Sequence, residues 1–110
     1  MAVGAKTRIR ETFVDRERVI DIIRTHEADL RALGVARLWL FGSIARSQAG
    51  PQSDIDVMIA IPTGRKFSLF DLGEVRVELC ELLGREVDVV IEEDRPDFRR
   101  DIASDLVGVF

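Results

Sequence analysis

Two segments decide the fold: Leu38-Trp39-Leu40-Phe41-Gly42-Ser43-Ile44-Ala45-Arg46 and, after a short polar loop, Ser53-Asp54-Ile55-Asp56-Val57-Met58-Ile59-Ala60-Ile61. The first is an apolar run that ends in Gly-Ser, and the second is an apolar run that opens with two acids. Side chains on a strand alternate faces, so Asp54 and Asp56 point the same way, about 6.6 Å apart along the chain. Their carboxylates can approach to about 5 Å, where an effective dielectric near 20 gives roughly 3 kcal/mol of repulsion. A hard divalent cation such as Mg²⁺ turns that repulsion into binding, because it takes carboxylate oxygens and keeps positions open for water and phosphates.

A polar strand face meeting water would explain Asp-Ile-Asp equally well if it stood alone. The rest of the run argues otherwise. Ile55, Val57, Ile59 and Ile61 fill one face, while Met58 and Ala60 continue the carboxylate face as apolar. A strand apolar on both faces is a covered, central strand. Two acids at its start then sit beside a buried surface, a costly place for unpartnered charge. Gly42-Ser43 supplies a complementary half. Glycine permits close backbone approach, Ser43 with Ile44-Ala45-Arg46 can open a short helix, and free N–H groups at a helix start suit a phosphate.

Gly-Ser, a spacer of about ten, then Asp-hydrophobic-Asp between two apolar strands resembles the signature of the DNA polymerase beta-type nucleotidyltransferase superfamily. Gly42-Ser43-Ile44-Ala45-Arg46 and Ser53-Asp54-Ile55-Asp56 are similar to its short prokaryotic branch, the minimal nucleotidyltransferases, many of which are antitoxins paired with a HEPN-domain toxin. That branch often has glycine after the arginine, where this chain has Ser47.

Working outward, 110 residues at 46% hydrophobic content support one compact domain with a real core. The formal charge of −4 argues against direct binding of DNA or RNA over a broad basic face, but not against a nucleotide whose charge a metal offsets. Cys80 is the single cysteine and reads as a core thiol, so an internal disulfide is excluded. His26, the single histidine, sits in a charged helix and reads as solvent-facing, which leaves little for a histidine metal site or a Ser-His-Asp triad. Without a signal peptide or a membrane-length apolar run, the expectation is a cytoplasmic protein.

Residues 1–11 read as a flexible, basic N-terminal arm and 12–110 as a single domain. Thr12 to Asp15 reads as a helix start with an acid in its first turn. Val19, Ile20, Ile22, Ile23, Leu30 and Leu33 then mark one helix that stops at Gly34. Strands are predicted over Val35–Phe41 and Asp54–Ile61. Arg65 and Lys66 follow in a loop that either swings toward phosphates or is simply solvated. Ser68 with Asp71 opens a long helix whose apolar positions are Leu69, Leu72, Val75, Leu79, Leu82 and Leu83, ending at Gly84. A third strand, Glu86–Ile91, carries Asp88 as a lone acid in an apolar run, either buried, which is costly unless it is paired, or pointing outward on an edge strand. A last helix begins at Arg95-Pro96, and Val107, Val109 and Phe110 leave an apolar C-terminus that could pack on the sheet or meet another chain.

The expected fold is α/β (α+β in the looser sense): a small mixed sheet with helices mainly on one face, as in the polymerase beta-like nucleotidyltransferases. The resemblance implies that Asp54, Asp56 and Asp88 are catalytic and hold two Mg²⁺ ions. It assigns Gly42, Ser43, Arg46 and Ser53 to nucleotide binding. It further implies transfer of AMP from ATP to a protein hydroxyl, a tyrosine of a HEPN ribonuclease toxin, silencing that toxin. No acceptor-gripping domain is evident, so the acceptor comes from a partner protein or from self-association into a homodimer or hetero-oligomer. Two other readings stay open at this point: a non-catalytic antitoxin acting by steric occlusion, and a small-molecule adenylyltransferase.

Overall fold

The computed structural model describes residues 15–48, 50, 54–92 and 106–110. The arm assigned to 1–11, Ser53 and the last helix from Arg95 lie outside the described residues. Among those described, no helix is long and apolar enough to cross a membrane.

The described residues open with α1 (Arg16–Thr25), capped by Asp15, whose carboxylate accepts from the Glu17 N–H at 3.0 Å. Asp15 is thus the cap itself rather than a first-turn acid. The single helix expected up to Gly34 is two: α1 breaks at His26, and α2 (Glu27–Ala32) follows. His26 leaves the helical region at φ −107°, ψ 21°. Its Nδ1 lies 2.9 Å from the Ile22 carbonyl, and its ring is half-buried rather than turned fully to solvent. The break lets Leu30 reach the same core as Val19, Ile20 and Ile23.

Four strands form one sheet in the order β3-β2-β1-β4. β1 (Arg37–Phe41) and β2 (Ile55–Ala60) pair antiparallel, and β2 pairs parallel with β3 (Val87–Ile91). The parallel crossover is made by α4 (Leu69–Leu83). A reciprocal capping box of Ser68 and Asp71 starts it, and Gly84 at φ 65° ends it. The fourth strand, β4 (Val107–Gly108), was not expected. It pairs antiparallel with β1, and Val109 continues beside Leu38 with an N–H···O bond of 2.9 Å. Val109 is buried, so the apolar C-terminus packs on the sheet and cannot be counted as an exposed patch awaiting another chain.

The sheet has two unlike faces. Leu38, Leu40, Ile55, Val57, Ile59 and Val87 meet the inner sides of α1, α2 and α4 in the main core. Trp39, Phe41 and Met58 form a smaller apolar cluster, joined by Ala60, Val90 and Leu106, on the other face. Both faces of β2 are therefore covered along most of its length, as its composition implied. α4 buries less than its pattern suggested. Val75 and Leu79 are buried and Leu72 and Leu83 pack partly, but Leu69 is 85% exposed.

That difference is measurable. Leu79→Ala should lower unfolding free energy by about 2–5 kcal/mol, whereas Leu69→Ala should change it by less than about 0.5 kcal/mol. Urea titrations of the two variants check both.

Candidate active site

The carboxylates are placed by strand register. Asp56 stands directly beside Asp88 across the parallel β2–β3 pair and opposite Phe41 across the antiparallel β1–β2 pair. Alternation puts Asp54, Asp56 and Met58 on one side of the chain, away from the helices. The acids therefore gather at the start of β2 and β3, and the Trp39–Phe41–Met58 cluster carries the same face onward as apolar surface.

Burial differs among the three. Asp56 is half-buried, while Asp54 and Asp88 are exposed. Of the two places open to Asp88, the structure gives the outward one: β3 is the edge strand of the described sheet and leaves this side chain in water. Desolvation thus falls on Asp56 alone. Its carboxyl is held above the ordinary range by burial first, then by the negative charges of Asp88 and Asp54, with Arg46 opposing. Water around the outer two acids screens the mutual repulsion, so the value of about 3 kcal/mol at an effective dielectric of 20 is an upper bound.

Gly42 starts α3 (Gly42–Ala45), a single turn set between β1 and the motif loop. Its φ of 72° lies in the left-handed region, and a Cβ there would collide with the Asp56 carboxylate oxygen Oδ2. Glycine here makes room for the chain's own acid, a role the sequence reading missed. Ser43 is half-buried in the turn, and its carbonyl accepts from the Gln48 N–H at 2.7 Å. Arg46 follows the turn, donates to Gln48 Oε1 at 3.1 Å, and sends its positive charge toward Asp56.

Ser47 occupies the position where the resembling branch often has glycine, and the structure gives the reason: φ is 59°, the left-handed region. Serine tolerates this only at a cost. Arg85 is a second residue that sequence reasoning did not single out. It donates to the Gly50 carbonyl at 2.8 Å, fastening the motif loop to the chain just before β3. An arginine after a helix-stopping glycine carries no local signal of that role.

Arg65 and Lys66 are not at this site. The acids open β2, whereas Arg65 follows its far end and reaches the Ala32 carbonyl behind α2. Six strand residues at about 3.3 Å each separate the two ends.

All three acids offer oxygen donors, which suits a hard cation. Among the described residues, no group of three His, Cys, Asp or Glu side chains converges as a ready-made ligand set. Mg²⁺ does not require one: one or two carboxylates, completed by water and substrate phosphates, is its usual protein contribution. The residues therefore fit Mg²⁺ in donor type, and strand register sets Asp56 beside Asp88.

Two consequences can be measured. Because the folded-state pKa of Asp56 is raised, the native chain holds its proton more tightly than the unfolded chain. Stability then falls as pH rises through the interval that starts at the ordinary value of 3.8. Asp56→Asn should accordingly be more stable than the parent at pH 7, with the advantage vanishing below pH 3.8, as read by denaturant midpoints across pH. Ser47→Gly should raise stability by about 0.5–1 kcal/mol, the left-handed penalty relieved less the added flexibility of glycine in the unfolded chain. Thermal and urea unfolding check the sign.

Comparison with known proteins identifies the family of the chain. The family profile described as a nucleotidyltransferase domain matches residues 10–107. A Methanocaldococcus jannaschii protein with the provisional name of protein adenylyltransferase is 39% identical over 75 residues, 68% of this chain and 71% of that protein. A solved structure, provisionally named a minimal nucleotidyltransferase, superposes with a TM-score of 0.62 at 30% identity, covering 94% of this chain and 92% of that one. A chain from the complex of tri-AMPylated Shewanella oneidensis HEPN toxin with MNT antitoxin shares the fold, with a TM-score of 0.59 at 16% identity over 83% of this chain and 71% of its own. With its Gly-Ser turn, its paired strand acids and a profile match over nearly its whole length, the chain belongs to the nucleotidyltransferase domain family, in the company of the minimal nucleotidyltransferases.

Proposed function

We propose that the chain transfers AMP from ATP to a hydroxyl on a partner protein, a tyrosine of a HEPN-domain toxin, and so acts as its antitoxin. The observation that carries this reading is the side-by-side placement of Asp56 and Asp88, with Asp54 on the same face and Gly42 against Asp56. The names of the relatives supply the acceptor class: protein adenylyltransferase for the archaeal protein, and an AMPylated HEPN toxin with its MNT partner for the complex.

Asp54, Asp56 and Asp88 would hold Mg²⁺, two ions by the pattern of such transferases. Bound there, the metal would offset phosphate charge and make the acceptor hydroxyl a better nucleophile. Gly42 and Ser43 border the acids and leave backbone room for the β- and γ-phosphates, with Arg46 as the nearby cation and Ser53 beside Asp54 in sequence. In the reaction, the hydroxyl oxygen forms a bond to the α-phosphorus while the bond to the bridging oxygen breaks and pyrophosphate leaves. Asp88, in solvent contact, takes the hydroxyl proton and passes it to water. The exposed outer acids leave the site open, so the partner rather than this chain shapes the acceptor pocket, in a hetero-oligomer.

The test combines the purified chain, its HEPN partner, ATP and Mg²⁺, with mass spectrometry of the partner. A gain of AMP on tyrosine is expected, and it should stop in chelator. Asp56→Asn should still co-purify with the partner while slowing transfer on the order of 100-fold or more. If Asp56→Asn binds and neutralises the toxin as well as the parent does, occlusion rather than catalysis is the mechanism. Transfer to a small molecule with an unmodified partner would overturn the protein acceptor.

A further inference from the structure

The outer surface of α4 carries a feature that neither the core nor the carboxylate site uses. Leu69 and Phe70 are 85% and 86% exposed, and Val77 is 53% exposed. At 3.6 residues per turn, Phe70, Gly73 and Val77 line up on the side opposite the buried Val75 and Leu79. Gly73 is the unexpected member. It sits within a 15-residue helix, needs no left-handed backbone, and has nothing within 4 Å of where its Cβ would be. Among the described residues, no contact accounts for a residue that weakens the helix. A gap between two bulky apolar side chains does suit another helix, whose backbone could come close there.

Charge identifies the occupant. Glu74, Glu78 and Glu81 run along one flank of the stripe, and among the described residues none of them is in an ion pair. The single arginine of α4, Arg76, is turned aside. It donates to the Val87 carbonyl at 3.2 Å and pairs with Glu86 at 2.7 Å, so its charge is spent against β3. A second copy of this chain would bring a like acidic rim against the first. A partner with the opposite sign would not.

We propose that this face of α4 docks an amphipathic helix of another protein, one with a small-and-apolar stripe flanked by Lys or Arg. The sheet gives the surface a defined place. α4 covers the helical face, whereas Asp54, Asp56 and Asp88 lie on the reverse. A helix seated on α4 is thus behind the sheet and cannot offer a group to the carboxylates of the same copy. The surface serves assembly, separately from whatever binds at the acids.

The probes are two designed helical peptides sharing one Leu/Ala stripe, one flanked by Lys and Arg and the other by Glu. Binding to the full chain is followed by fluorescence anisotropy at low and moderate salt. The basic peptide should bind at least about tenfold more tightly than the acidic one, and the preference should shrink with salt. Phe70→Ser and Val77→Ser, both at exposed positions, should each weaken it about tenfold. The triple change of Glu74, Glu78 and Glu81 to Gln should remove the salt dependence. Asp56→Asn should leave it intact, which separates this surface from attraction to the acids on the other face. Equal binding of the two peptides, or binding unaffected by Phe70→Ser, overturns the proposal. So does sedimentation showing a dimer of the chain that Phe70→Ser converts to monomer, since a second copy would then be the occupant.

Discussion

The parallel pairing of β2 with β3 is the constraint on which everything else depends. It sets Ile55 beside Val87 and Val57 beside Val89 on the helical side, and in the same register Asp56 beside Asp88 on the other. A slip of one residue would turn every side chain of β3 to the opposite face, burying Asp88 among the helices and exposing Val87 and Val89. Core and site are therefore locked to one alignment. The hydrophobic contacts of α1 and α4 hold the carboxylates in place without touching them.

This arrangement separates stability from chemistry across the thickness of one sheet. The main cluster, including Leu38, Leu40, Val57 and Leu79, lies entirely on the helical side. The acids stand at the strand starts on the reverse, the face that carries the small Trp39–Phe41–Met58 cluster, and Asp56 is the half-buried one of the three. Ser47, two residues past the turn Gly42–Ala45, holds left-handed backbone, and Asp56 carries charge against two neighbours. Backbone strain and like charges persist in a folded protein when the surrounding packing over-determines them, and functional sites are where they gather.

The acids differ in solvation. Asp56 is half-buried and crowded by two negative charges, whereas Asp88 stands exposed at the edge of the described sheet. Ser47, where the related branch often has glycine, shows that the turn geometry is demanded by the fold rather than by the residue: the chain bends there even when the side chain resists.

The alternation of Ile55, Val57 and Ile59 against Asp54, Asp56 and Met58 determined, by itself, a central strand with acids at one end. The Ser68–Asp71 box and Gly84 likewise determined the ends of α4, because these are local signals read within four residues. Tertiary structure decided the rest. Neighbour strands, not local preference, settle whether Asp88 is buried, and β3 proved to be an edge in the described sheet. β4 is two residues long with a glycine in it, too short for any pattern, and exists because β1 had an edge to pair. Leu69 reads as core in a helical repeat, yet it lies in the first turn, beyond the reach of the sheet that buries Val75 and Leu79. The collision that keeps a Cβ from Gly42 is likewise invisible in sequence, since Asp56 is fourteen positions away and meets it only when the two strands pair.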